Sequence, residues 1–360
     1  MSFSGSYRAG EVDFLLTRLP AQEFTDVREK ERLIQSGQRH YSQMLSPEKP
    51  PTARYMAVFE DACRVNNPRM AADCLRLARL IAERREGAVT IVSLARAGTP
   101  IGVVVTRLLR EVLGREAVHY CVSIVRDRGI DAAAVRHILA SGHAPESIVF
   151  VDGWTGKGVI ARELAQSVSA FNAAHGTAID TGLFVLSDLA GAAACAASGE
   201  DYLIPSSILN ATVSGLVSRT VLDERIGPDD FHGCVYYGEF APIDASQRFA
   251  DALVDLAKNI QDRPQALPLN ANEAAARSRA WLDGAMARYG IAEVNLIKPG
   301  IGEATRVLLR RVPRLLVLRA AGTRDVAHLE VLAEEKQVPV AIDPDLPYHA
   351  VSLIRSASDG

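Results

Sequence analysis

A chain of 360 residues with 48% hydrophobic and 23% charged residues and a formal net charge of −3 has the make-up of an ordinary folded protein. It is too long for one small core, so a main domain of roughly 200 to 260 residues with a smaller companion is expected. No run of about 18 uninterrupted apolar residues is present to span a bilayer, and the N-terminus "MSFSGSYRAGEVDF" lacks a basic segment leading an apolar one, so a cytoplasmic protein without membrane contact is expected.

In chain order, the first fifty residues are polar and irregular, and "EKERLIQSGQRHYSQMLSPEKPP" reads as a short helix entering a Pro-rich turn. From Tyr55 to Arg85 apolar residues recur at helical spacing, and Pro68 in "NNP" predicts two helices there rather than one. "AVTIVSLA" reads as a buried strand, followed by the loop "RAGTP" and the helix "IGVVVTRLLREVL". The alternation continues through "AVHYCVSIV", "DAAAVRHILAS", "SIVFVD", "GVIARELAQSVSAF" and "TGLFVLSD". Nearly continuous apolar strands alternating with helices predict a doubly wound α/β fold around a parallel sheet. Ligands are then sought beyond the carboxyl ends of the strands, in the loops after 95, 125 and 152. Past the helix "ASQRFADALVDLAKNI", the stretch "QDRPQALPLNAN" reads as a linker. The expected organisation is a main domain over 1–262, a linker over 263–272 and a second, smaller α/β domain over 273–360.

The stretch "VFVDGWTGKG" ends a strand on an acid, Asp152, and enters a glycine loop before a helix. Such a turn presents free backbone N–H groups at the positive end of a helix dipole and suits a phosphate. Gly156 and Gly158 permit close approach, the Thr155 hydroxyl can donate and Lys157 can add charge. The spacing is neither a Walker A loop nor G-x-G-x-x-G. An acid just before the cradle suggests a ribose hydroxyl beside the phosphate. Trp154 has two readings, a stacking platform or a pin for the loop. The five cysteines, at 63, 74, 121, 195 and 234, contain no C-x-x-C pair, which argues against a disulfide framework or a structural zinc site.

These loops resemble the type I phosphoribosyltransferases. "VFVDGWTGKG" is similar to a shortened form of their 5-phosphate loop, with Gly153 where a second acid is common. "SLARAGTPIG" resembles their pyrophosphate loop, and "SIVRDRGID" stands where a basic loop closes the site. More closely, "GSYRAGEVDFLL", "EKERLIQSGQRHYSQML", "HYCVSIVRDRGID" and "FVDGWTGKGVI" resemble phosphoribosyltransferase-like proteins fused to a Pelota-like RNA-binding domain in bacterial tellurium-resistance and stress gene neighbourhoods. Members of that branch also carry the label cysteine protease StiP. The resemblance implies an enzyme that uses phosphoribosyl pyrophosphate with Mg²⁺ to ribosylate an unidentified base or nucleophile, the metal being held through the substrate. In that reading Asp152 and Gly153 lie at the ribose and Thr155, Gly156, Lys157 and Gly158 hold the 5-phosphate. Arg96, Ala97 and Gly98 hold the diphosphate, and Arg126 and Arg128 close over it.

The segment "NLIKPGIGEATRVLLRRVP" resembles the Lys-x-Gly-x-x-Glu loop of Pelota-like domains, which implies RNA contact through Lys298, Gly300, Gly302, Glu303, Arg306 and Arg310. Seven basic residues against one acid between Lys298 and Arg324 suit a phosphate backbone. A homodimer is left open. The runner-up function is a non-catalytic sensor of a phosphoribosyl ligand that also binds RNA. A second alternative is a cysteine peptidase. For it, His232 and Cys234 stand two apart on an extended segment and could meet, without a third partner; Cys195 reads as a small core residue in a helix-like run. His40 reads as packed or surface. "IPSSILNATVSGLVSRT" is read as capping and core rather than as pocket lining through Ser206, Ser207, Asn210 and Ser214.

Overall fold

The structure is a computed structural model that describes residues 3–20, 32, 33, 36, 38–45, 48–222, 224–260 and 270–355. The short helix expected near 29–51 lies partly outside the described residues, and the expected linker mostly so. In the first domain the strands are β1 (Asp13–Leu15), β2 (Thr17–Arg18), β3 (Val89–Leu94), β4 (Ala117–Val122), β5 (Ile124–Val125), β6 (Gly129–Ile130), β7 (Ile148–Thr155), β8 (Leu183–Asp188), β9 (Cys195–Ser198) and β10 (Gly233–Cys234). Its helices are α1 (Ala53–Arg84), α2 (Thr99–Glu111), α3 (Ala132–Ala140), α4 (Val159–His175) and α5 (Ser246–Lys258). The main sheet runs β1-β4-β3-β7-β8-β9, and every ladder in it is parallel.

Strand alternation divides the sheet's side chains between two cores. Val89, Ile91, Val149 and Val151 face α1, α2 and α5, packing with Leu77, Val104 and Leu253. Val92, Leu94, Ile148 and Phe150 face α3 and α4, packing with Ile138, Leu164 and Val168. Both faces are covered, so β3 is buried along its whole length, which is why its sequence carries no polar alternation.

Three local expectations are corrected. The chain from Ala53 to Arg84 is one helix with Pro68 inside it. Phe59 and Ala62 before the proline and Met70 and Cys74 after it enter one core, so burial on both sides carries the helix through the missing hydrogen bond. Strand β7 does not stop at Asp152: Asp152 pairs with Val185, Trp154 with Ser187 and Thr155 with Asp188. Cys195 opens a strand, not a helix.

The second domain comprises α6 (Ala271–Tyr289), β11 (Ile297–Pro299), α7 (Ile301–Arg310), β12 (Pro313–Leu318), α8 (Ala327–Glu335), β13 (Val340–Ile342) and β14 (Ala350–Ile354). Its sheet runs β11-β14-β12-β13, with only β12 and β13 parallel. The molecule is thus α/β with a parallel-sheet core and a smaller second domain. Ile301, Ala304 and Leu308 of α7 join the same apolar cluster as Tyr202, Ile204 and Ile208 of the first domain. No described helix is long and apolar enough to cross a membrane.

Candidate functional site

The two glycine loops singled out in the sequence meet each other. Lys157 Nζ donates to the carbonyl oxygens of Val294 (2.7 Å) and Ile297 (2.8 Å), and a Cβ added at Gly156 would lie 2.9 Å from the Pro299 carbonyl oxygen. Arg306 stands over the Trp154 ring at 5.3 Å, so Trp154 pins an interface. Thr155 Oγ1 accepts from Gly158 N and is used inside its own loop. Gly158, at φ 67°, enters α4 in the left-handed region that favours glycine. From the other side, Asp201 accepts from the backbone N–H of Ile301 and of His349, both at 2.8 Å, capping the start of α7 with a first-domain carboxylate. Gly300 makes this docking possible: its φ is 92°, and a Cβ there would sit 2.8 Å from Leu189 Cδ1.

A charge cluster results at the junction. Burial lifts the Asp152 carboxyl to about 7, with Arg306 opposing and Glu303 reinforcing. Burial lowers Lys157 to about 7, with Lys298 and Arg126 acting in the same direction. Glu303, despite its burial, is held below the usual range by Arg306 and Lys298. Lys298, Glu303 and Arg306, expected to face RNA, are half-buried against the first domain. Gly302 lies near Trp154 and Ser207. The side chain of Arg310 lies outside the described residues.

The other loops are also engaged. Arg96 pairs with Glu48 and donates to Asn210 Oδ1 and the Val217 carbonyl oxygen, so its fork ties the 95–98 turn to the 204–217 segment. Gly98 N donates to Leu94 O and Thr99 N to Arg96 O, inside the turn that also holds Ala97. Arg126, Asp127 and Arg128 form the tip of the β5–β6 hairpin, with Asp127 at φ 63°. His40 is half-buried, its Nδ1 2.7 Å from Ser42 Oγ and its Nε2 4.0 Å from Asp127 Oδ2.

A second constellation was not singled out in the sequence. Ser93 of β3 pairs in register with Cys121 of β4, and His119, two residues earlier, shares the face of Cys121. His119 Nδ1 is 3.0 Å from the Glu11 carbonyl oxygen and Nε2 is 2.7 Å from Ser93 Oγ. Ser93 faces Cys121 across the ladder and helps oppose the rise of its thiol pKa, and Thr99 Oγ1 lies 3.1 Å from the sulfur. A carbonyl oxygen only accepts, so Nδ1 carries the ring proton and Nε2 accepts from Ser93. The Ser93 oxygen then keeps a lone pair beyond the bond it donates to His119, and the Thr99 hydroxyl and the Cys121 thiol share a hydrogen bond in which either can be the donor. The result is a thiol, a hydroxyl and an imidazole gathered on one face of two paired strands, the ring oriented by a main-chain carbonyl. Helix α2 covers it closely: a Cβ at Gly102 would lie 2.3 Å from His119 Nε2. Cys121 is fully buried. Burial pushes its thiol up to about 12 and His119 down to about 3, so the resting pair is neutral.

The cysteines weighed in the sequence fare differently. His232 Nδ1 bonds Ser123 Oγ at 2.7 Å, and burial pushes the Cys234 thiol up to about 12. Cys121 pairs across the ladder with Ser93, a hydroxyl that itself bonds an imidazole. A histidine and a cysteine two apart in "HYC" were a usable signal, and the partner across the ladder was not.

The model of the family described as "Tellurite-like stress resistance cysteine protease StiP" matches residues 5–254, and that of the PELOTA RNA binding domain matches residues 276–356. A protein named cysteine protease StiP, from Acinetobacter baylyi (strain ATCC 33305 / BD413 / ADP1), is 41% identical over 372 residues, covering 99% of this chain and 96% of its own. These matches overturn phosphoribosyl transfer as the reaction and transferase as the enzyme class, since family and relative alike are named as cysteine proteases. The contacts already made by Arg96, Thr155 and Lys157 give the physical counterpart.

Proposed function

The chain belongs to the StiP family, and from that premise we propose that its first domain is a thiol hydrolase with Cys121 as nucleophile. The grouping of Cys121, Ser93 and His119 on one face of two paired strands carries the reading. Nucleophile, base and orienting group are the three parts such chemistry needs, and they stand near the carboxyl end of β4, where sheets of this kind place their sites. In the proposed step the thiol proton passes to Ser93 as the Ser93 proton passes to His119 Nε2. The thiolate, assisted by the Thr99 hydroxyl and the start of α2, attacks the scissile carbonyl carbon. The C–N bond breaks, the amine leaves with the proton held by His119, and water hydrolyses the thioester.

The thiol is closed off in the structure, so each turnover requires a transient opening. The Arg96 clasp on Glu48 and Asn210 holds the turn that leads into Thr99, and its release is the opening step of this reading. RNA binding through the second domain is supported by its match. An RNA strand reaching Lys298, Glu303 or Arg306 requires the two glycine loops to part. Hydrolysis of a fluorogenic peptide mixture tests the activity. Cys121→Ala lowers kcat/KM by about a thousandfold or more, whereas Cys234→Ala stays within a few-fold of wild type. Undiminished cleavage by Cys121→Ala sinks the reading.

A further inference from the structure

The carbonyl that orients the His119 ring comes from an exposed turn. Arg8, Ala9 and Gly10 are exposed, and the bond from Glu11 N to Arg8 O closes the turn just before β1, the edge strand that pairs with β4. A surface turn near the start of a chain frays readily, yet Glu11 holds its carbonyl oxygen 3.0 Å from His119 Nδ1. The Glu11 side chain supplies what the turn lacks. The residue is only 8% exposed, and its Oε1 lies 3.4 Å from an Arg8 Nη and 3.5 Å from an Arg107 Nη of α2. Arg107 is itself fixed, by Glu111 at 2.9 Å and by Asp251 of α5 at 2.6 Å, and Asp251 also takes the fork of Arg8. Arg110, further along α2, donates to the Gly10 carbonyl oxygen (2.9 Å) and to that of Ala117 (2.6 Å), tying the turn to the start of β4. Glu11 Oε2 is buried with no hydrogen-bond partner among the described residues. A desolvated carboxylate oxygen without a partner costs free energy, and a surface ion pair would hold the turn without that cost.

We propose that Glu11 is a positioning residue for the base of the hydrolase. Its carboxylate, clamped by Arg107 and Arg8, fixes its own main-chain carbonyl on His119 Nδ1. The ring proton then stays on Nδ1, and Nε2 keeps its lone pair turned to Ser93. Helix α2 thereby sets both edges of the ring: Gly102 closes on the Nε2 side, and Arg107 acts on the Nδ1 side through Glu11. Without the clamp the carbonyl withdraws, the proton moves to Nε2, and the ring no longer accepts a proton from Ser93. The consequence for catalysis rests on the hydrolase reading. The tautomer is a property of the fold and is measurable without turnover.

NMR of the full chain carrying 15N-labelled histidine, at neutral pH, reads the tautomer, the His119 signals being those absent from His119→Asn. Wild type shows Nδ1 protonated and Nε2 bare. Glu11→Ala and Arg107→Met bring up the Nε2-protonated form and lower kcat for peptide hydrolysis by about tenfold, with KM within about twofold. Arg107→Lys, which keeps the charge, stays within about threefold of wild type. Arg248→Gln, which breaks an exposed pair with Glu60 elsewhere on α5, changes neither tautomer nor rate. If Glu11→Ala does not fold, Arg107→Met decides. Wild type protonated on Nε2, or folded variants that keep the wild-type tautomer whatever their activity, overturns the proposal. Tautomers that shift as expected in a chain that cleaves no peptide uphold the positioning and count against the hydrolase reading alone.

Discussion

At the scale of single residues, Asp152 sets a pH dependence with a definite sign. Its carboxyl ionises near 7 in the fold against 3.8 when unperturbed. The fold therefore favours the protonated form, and the stability this contributes is full below about 3.8 and lost as pH rises through about 7. Asp152→Asn should be more stable than wild type at pH 8 by about 1–2 kcal/mol, with the difference vanishing near pH 4; equal melting curves at both pH values would contradict this. Gly102→Ala tests the packing of α2 on the relay. Its methyl would meet His119 Nε2, so a loss of about 1–3 kcal/mol in denaturant unfolding is expected. The relay itself was only half legible in the sequence. His232 with Cys234 and His119 with Cys121 have the same spacing, and period two puts either pair on one face of a strand. What separates them is Ser93 across the ladder and the Glu11 carbonyl, more than a hundred residues away from His119, and neither is visible in a local window.

At the scale of elements, the glycine loop after β7 serves as a docking element. Lys157→Met keeps the aliphatic stem but removes both bonds to the Val294 and Ile297 carbonyls. A cost of roughly 2 kcal/mol is expected, read in scanning calorimetry as a melting temperature several degrees lower; an unchanged temperature would show that the ammonium contributes nothing to docking. The Arg96 clasp gives a prediction of opposite kind. Glu48→Gln removes the charge that holds the turn, so peptide hydrolysis should rise several-fold while stability falls by about 1 kcal/mol, and a fall in both would place Glu48 in the folding of the turn alone. Most strands and helices of the first domain were legible from apolar periodicity, because a sheet covered on both faces selects continuous apolar runs. Helix α1 was not, since local propensity marks Pro68 as a break and only burial of both halves in one core overrides it.

At the scale of the whole molecule, the two domains share an apolar cluster and a charge cluster, and each presents its glycine loop to the other. Two α/β units could be read from the order of strands and helices. That their loops would cover each other could not, because a loop rich in glycine and lysine looks the same whether it waits for a phosphate or receives a neighbour's carbonyls. In the proposed reaction Cys121 is the nucleophile, and the most direct measurement of this is peptide mapping by mass spectrometry after reaction with a peptidyl electrophile that alkylates active-site thiols. One adduct per chain is expected, on Cys121, and it disappears in His119→Ala. An adduct on Cys63, Cys74, Cys195 or Cys234, or hydrolysis that continues while Cys121 stays unmodified, would contradict it.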